Sequence, residues 1–265
     1  MTKAWMATLA CMGVFYGASL AWPDETREPR PFVLGKLEGN DLVFMGTTHR
    51  QPVILSFLEA LLPSLRDHGV THLALEIASD QQANLDGYLN GDNRLAAVKL
   101  HAAIECPGYR NLLKRLHSLP AGSRPVVKAI DLPPALYRLD LNRDQWMASR
   151  LIDILRPADN TKVLVVLGST HILRTLPWQT RVAAGHPSIR ATLQQNLPRL
   201  KIASIMNIVG SLEKECDFAR AYGDGGAGMA LDLDHRFGGW KLGPVQCMAL
   251  KPMPAHELVE GIILH

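Results

Sequence analysis

Cysteine is scarce in this chain, and the few present form no pattern. Four occur in 265 residues, at Cys11, Cys106, Cys216 and Cys247. Their spacing excludes a zinc ribbon, a CxxC redox motif and a disulfide-dense scaffold. Charge of one sign is scarce as well: 28 basic against 25 acidic residues leave a formal net charge of +3. Nucleic-acid binders concentrate Lys and Arg on one stripe, so no nucleic-acid partner is expected. The sequence also lacks a Gly-x-Ser-x-Gly elbow and a His-Glu-x-x-His helix. Ordinary serine hydrolases and zincins are thereby disfavoured. There is no internal repeat and no low-complexity block, so a solenoid or a biased tail is not expected.

Long apolar runs are missing except near the start. Lys3 is the only charge before Trp22, Ala4 to Tyr16 is mostly apolar, and Ser19-Leu20-Ala21 places small residues where a signal peptidase reads them. Residues 1–21 are therefore expected to be a cleaved signal peptide, giving a periplasmic or extracellular protein with no stable membrane span afterwards. An uncleaved anchor and a cytosolic start are the competing readings; Gly13, Gly17 and the short span weaken the anchor. Cleavage would remove Cys11. Cys106, Cys216 and Cys247 would remain, with one disulfide and three buried thiols equally compatible.

Residues 22–41, with Pro23, Pro29 and Pro31, read as a leader segment. From residue 42 to 265 the pattern reads as one α/β domain. Strands are expected at Leu42–Met45, His72–Ile77, Val126–Ile130, Val163–Leu167 and Ile202–Val209, with weaker ones at Val245–Leu250 and Gly261–Leu264. Helical spacing of Ile54, Leu55, Leu58, Leu61, Leu62 and Leu65 lies between the first two, and Met147, Leu151, Ile154 and Leu155 mark a later helix. A helix behind Ser188 is expected from Ile189, Leu193 and Leu197. A helical insertion is expected over residues 80–119, broken at Asn90-Gly91-Asp92 and Cys106-Pro107-Gly108. This alternation predicts a mainly parallel sheet with helices on both faces; Val163–Leu167, all β-branched or Leu, should be its buried centre.

Two strands end in nearly the same four letters, Gly46-Thr47-Thr48-His49 and Gly168-Ser169-Thr170-His171. In an open α/β sheet, ligands bind beyond the carboxyl ends of the strands, which delivers both imidazoles to the functional edge. Glu76 and Asp131 end two further strands there. Two His and two carboxylates on one rim suit either a metal site or acid–base work. The bland alternative for each His is a solvated loop residue, but the repeated pattern favours a site. Thr48 and Thr170 could orient the rings or touch substrate. Three other features read as ordinary surface. Gly223 to Gly228 matches GxGxxG without a preceding strand, and His101 and Glu105 at i, i+4 suit a solvated pair. Trp178 and Trp240 are as compatible with packing as with a pocket wall.

The order strand-GxxH, strand-Glu, helical insertion, helix with Arg143-Asp144-Gln145-Trp146-Met147-Ala148, strand-GxxH resembles a known superfamily. It joins erythromycin esterases, ChaN-type haem-binding proteins and TraB/Tiki proteins, and the resemblance runs from about Leu42 to Leu264, ending in Glu260-Gly261-Ile262-Ile263. It implies His49, Glu76 and His171 as site residues and Arg143 in the same pocket. The esterases carry Glu after the first Gly, where this chain has Thr47. Gly-Thr-x-His is nearer the TraB/Tiki form, for which metal-dependent peptidase activity is proposed in some members. Tyr109-Arg110-Asn111-Leu112-Leu113 followed by Pro125-Val126-Val127 is nearer ChaN.

The leading expectation is a secreted hydrolase-like domain acting on an ester or amide bond of a small molecule or peptide. His49, Glu76 and His171 would hold Zn²⁺, Mn²⁺ or Fe²⁺, or work without metal, and Arg143 would meet developing negative charge. The alternative is a periplasmic protein that binds haem or another iron ligand through His.

Overall fold

Seven strands hydrogen-bond into one sheet in the order β3-β2-β4-β1-β5-β7-β6. They are β1 (Leu42–Thr47), β2 (His72–Ala78), β3 (Val126–Asp131), β4 (Val163–Gly168), β5 (Ile202–Ile208), β6 (Met229–Asp232) and β7 (Gly261–Leu264). All pairs are parallel except β6 with β7. This computed structural model describes residues 26–92, 94–139, 141–157, 160–175, 187–210, 216–222, 228–237, 239–242 and 253–265. The expected signal peptide, Cys11, Trp178, Cys247, the strand expected at Val245–Leu250 and most of the Gly223–Gly228 loop lie outside them.

Helices cover both faces, and the strands show it by alternation. Val43 and Met45 of β1 join one apolar cluster with α1 (Pro29–Gly39), α2 (Pro52–Leu61) and α4 (Pro107–Ser118). Leu42 and Phe44 join the opposite cluster with α5 (Arg143–Leu155) and α6 (Ile189–Asn196). A strand packed on both faces has no polar side to show, and every residue of β4 is buried. The fold is therefore α/β, with Val163–Leu167 flanked by β2 and β1 as its buried centre.

The region expected as a helical insertion holds α3 (Gln82–Gly87), a widened turn at Tyr88–Asp92 and α4. Gly91, at φ 110°, makes the expected break. α3 also closes the free edge of β3: the Gln82 amide donates to the Val127 carbonyl at 3.0 Å and accepts from the Ala129 N–H at 2.7 Å. Left bare, that edge would invite another strand.

Part of residues 22–41 differs from the expected leader. Pro29–Gly39 is a helix with Pro in its first turn, and Phe32, Val33, Leu34 and Leu37 are buried in the core. Proline fits a helix start because its missing N–H would be unpaired there. Three further strands or α-helices escaped the sequence reading: β6, the short α7 (Asp217–Tyr222) and the four-residue α8 (Ala255–Leu258). Among the described residues no helix is long and apolar enough to cross a membrane.

Candidate functional site

The chain leaves β1 through α2 on one face and leaves β4 towards α6 on the other, although the two strands are neighbours. Connections that diverge like this open a crevice at the carboxyl ends of the strands. Both Gly-x-x-His motifs lead into it.

Gly46 is required by packing. A Cβ there would lie 2.7 Å from Ile172 Cδ1 and 3.2 Å from the Ser169 backbone, so its absence lets the turn after β4 sit against β1. Thr47 Oγ1 donates to the Leu167 carbonyl at 3.2 Å, and Asn207 Nδ2 donates to the Gly46 carbonyl at 2.8 Å. Gly168 makes the reciprocal space: a Cβ there would stand 3.0 Å from His49 Cε1, 3.1 Å from His49 Nε2 and 3.6 Å from Glu76 Oε2. The His49 ring and the Glu76 carboxylate thus share one pocket over Gly168. Arg50, immediately after His49, adopts φ 64° and donates to the Ala102 carbonyl. A non-glycine residue held in the left-handed region stores strain of order 1–3 kcal/mol, a recurrent feature of functional turns.

Glu76 is aimed by an irregularity. The β2–β3 register shifts between Leu75 and Ala78, a bulge that turns a side chain out of the regular alternation. A buried carboxylate is costly without partners. Glu76 has two: Oε1 accepts from Arg143 Nη2 at 2.5 Å and Oε2 from the Gly168 N–H at 2.6 Å. Asp131, 1% exposed, accepts from Arg143 Nε at 2.6 Å and Nη2 at 2.8 Å, and from the Leu132 N–H at 2.7 Å.

Arg143 opens α5, whose first turn is capped by Asn142 accepting from the Gln145 N–H at 2.9 Å. Its remaining arm, Nη1, lies 3.2 Å from His171 Nε2, and His171 Nδ1 lies 2.6 Å from Asp144 Oδ1. An arginine can only donate, so Nε2 is the acceptor and Nδ1 carries the proton to Asp144. Burial opposes the Arg143 charge, but hydrogen bonds and charge from Asp131 and Glu76 outweigh it and raise its pKa. Burial likewise lowers the pKa of His171. The hydrogen bond to Asp144, its charge and that of Glu76 reverse this, against Arg143, and the net shift is upward.

The structure therefore brings Glu76, Asp131, Arg143 and His171 into one bonded chain, with His49 beside Glu76. Thr48 is buried and Thr170 half-buried. Asp144 was missed as a site residue. Tyr137 lines a small cavity together with Asp131; burial and then Asp131 raise its pKa, Arg143 lowers it and Glu76 raises it. His101 and Glu105 form no helical pair. His101 Nδ1 accepts from the Ala103 N–H at 3.1 Å, and Glu105 accepts from Arg110 Nε at 2.9 Å.

The metal reading of His49, Glu76 and His171 does not fit. Among the described residues no group of three or more His, Cys, Asp or Glu is arranged to hold a metal ion. The physical reason is Arg143. Its guanidinium takes one oxygen of Glu76 and the free nitrogen of His171, so a cation already fills the place a metal would need. Haem iron meets the same obstacle at His171, since axial ligation needs that nitrogen free.

No protein-family model matches the sequence, and no curated protein matches it. Solved structures do match. A mutant of the erythromycin esterase EreC in its open conformation aligns with a TM-score of 0.63 at 10% identity, covering 88% of this chain and 92% of the other. A Bacillus cereus protein aligns with a TM-score of 0.58 at 10% identity, over 87% and 89%. ChaN of Campylobacter jejuni, in a structure showing cofacial haem binding, aligns with a TM-score of 0.52 at 13% identity, over 88% and 91%. At these identities the likeness is one of fold: this chain has the α/β fold shared by ChaN and the erythromycin esterase.

Proposed function

We propose, from the fold held in common with the erythromycin esterase, that this chain is a hydrolase-like domain cleaving an ester or amide bond by acid–base chemistry. The observation that carries the reading is the bonded run Asp144–His171–Arg143, at 2.6 Å and 3.2 Å. A carboxylate that fixes an imidazole tautomer and leaves Nε2 as the base is the arrangement of a triad's His and Asp.

In this reading water attacks the carbonyl carbon and passes its proton to His171 Nε2. Asp144 stabilises the imidazolium at Nδ1. Arg143 Nη1 exchanges its bond with Nε2 for one to the carbonyl oxygen as that oxygen gains charge. The C–O or C–N bond then breaks, and His171 returns the proton to the leaving oxygen or nitrogen. His49, across Gly168, orients the attacking water beside Glu76. Asp131 holds the guanidinium in place. Export remains part of the proposal; residues 1–21 lie outside the described residues, and sequencing of the native N-terminus should find Trp22 first.

The test is turnover of nitrophenyl esters and short amides by purified protein. His171→Ala should lose about 10²–10⁴-fold in kcat with an unchanged circular dichroism spectrum. Unaltered turnover in that variant would overturn the reading. A Soret band on adding haemin that is lost in His49→Ala, with no hydrolysis by the wild type, would favour haem binding instead.

A further inference from the structure

Between α5 and the β2–β3 flank of the sheet lies a cavity of about 450 Å³, within the range of small-molecule pockets, about 300–1,000 Å³. None of His49, Glu76, Arg143 or His171 lines it, so it is separate from the crevice. Its cations come from opposite walls. Lys128 of β3 shares a strand face with Ile130, which packs with Met147 and Leu151 of α5. Arg150 of α5 lines the other side. His72 stands on the same face of the sheet, two residues before Ala74, the register partner of Lys128. Burial and then the charges of Lys128 and Arg66 lower its pKa, which keeps it neutral at pH 7.

One carboxylate answers these charges. Asp153 meets Arg150 Nη2 at 3.3 Å, an i, i+3 pair whose side chains are 60% and 43% exposed, the kind worth about 1 kcal/mol or less. Arg150 Nε is buried without a hydrogen-bond partner among the described residues, and the guanidinium is held 5.1 Å over the Trp146 ring. Lys128 is half-buried and makes no ion pair or hydrogen bond among the described residues. An inward Lys on an outer strand can deter edge pairing, but Gln82 already closes that edge. Lys128 and Arg150 against Asp153 therefore leave one positive charge unanswered in a partly desolvated place. Carbon surface surrounds it, from Ala129, Ile130, Ile154 and Pro157, with the hydroxyls of Ser79 and Thr161 at the margins. We propose that this cavity is a second ligand site, for a small organic anion whose acidic head sits between Lys128 and Arg150 and whose apolar body lies on Ile130, Ile154 and Pro157. The site needs nothing from the hydrolase chemistry and would stand without it.

The experiment is calorimetric titration of phenyl phosphate, benzoate, inorganic phosphate and benzyl alcohol into the purified protein and into Lys128→Gln and Arg150→Gln, each variant first matched to wild type by circular dichroism. At least one of the two aromatic anions should bind wild type saturably. Each substitution should weaken that binding by about tenfold or more, the usual loss when a charged hydrogen-bond donor is removed. Inorganic phosphate, which lacks the body, and benzyl alcohol, which lacks the charge, should each bind at least about tenfold more weakly than the better anion. No saturable binding of either aromatic anion to wild type overturns the site. So does binding that survives either substitution, since the anion then sits elsewhere. Inorganic phosphate or benzyl alcohol binding as tightly as the aromatic anions overturns the proposed ligand class.

Discussion

Asp144 follows Arg143 in the first turn of α5, and a carboxylate there normally does no more than complement the helix dipole, worth about 0.3–1 kcal/mol. Here it meets His171, which arrives from β4, a contact that only the folded sheet creates. Asp144→Asn should therefore cut kcat by about 10²-fold or more with little change in KM. The pH profile gives a second readout. The base must be unprotonated, so activity falls on the acid side of the His171 pKa, which Asp144 helps to raise. Removing that charge should move the acid limb to lower pH; an unmoved limb would mean that Asp144 does not control His171. Gly46→Ala offers an independent check. Its new methyl would press on Ile172, and overpacking of this kind costs about 1–3 kcal/mol, measurable as a lower urea midpoint. His49, Glu76, Asp131 and His171 were legible because each ends an apolar strand whose direction fixes where the end lies. Asp144 was not, because it sits on a helix and its partner arrives from β4.

Among the elements, those with a strict period were legible and those without one were not. β4 reads as buried from composition alone. The four-residue β6 pairs with β7, bridges to Arg27 through Ala230, and carries too few residues for an alternation to show. α1 was hidden by its prolines, which suggested a leader although Phe32, Val33 and Leu37 already had a core helix's spacing. Its seat is specific: a Cβ on Gly261 of β7 would come 2.5 Å from Phe32 Cζ and 3.0 Å from Cε1, so the ring needs a glycine there. Phe32→Ala should cost about 3–5 kcal/mol in chemical denaturation, the usual cost of truncating a buried aromatic ring. A change under about 0.5 kcal/mol, typical of surface positions, would mean that the segment is a leader after all.

At the scale of the whole molecule, the crevice is held from beneath by a hydrogen-bonded line crossing three elements. His265 Nε2 lies 2.8 Å from Asn207 Oδ1, and Asn207 Nδ2 donates to the Gly46 carbonyl at 2.8 Å. The amide can donate to Gly46 only if its oxygen faces His265, so His265 carries its proton on Nε2. Phe57 packs edge-on against that ring at 5.5 Å. Burial lowers the His265 pKa from 6.5 to about 4. Between those values the unfolded chain binds a proton that the folded chain refuses, so folding stability rises with pH across this window. The contribution is complete above about 6.5 and is lost progressively as pH falls to about 4, amounting to roughly 3 kcal/mol at most. His72 is lowered as well, by burial and then by the charges of Lys128 and Arg66, whereas the raised pKa of His171 gives the opposite slope. The raw stability curve sums these, so the informative quantity is the difference between wild type and His265→Gln, which keeps a side-chain N–H for Asn207. Urea denaturation at pH 7, 5.5 and 4 should show wild type losing up to about 3 kcal/mol more than the variant over that range. Curves that stay parallel would mean that His265 titrates alike in both states. The line to Gly46 would then be no part of what holds the His49 turn in the crevice.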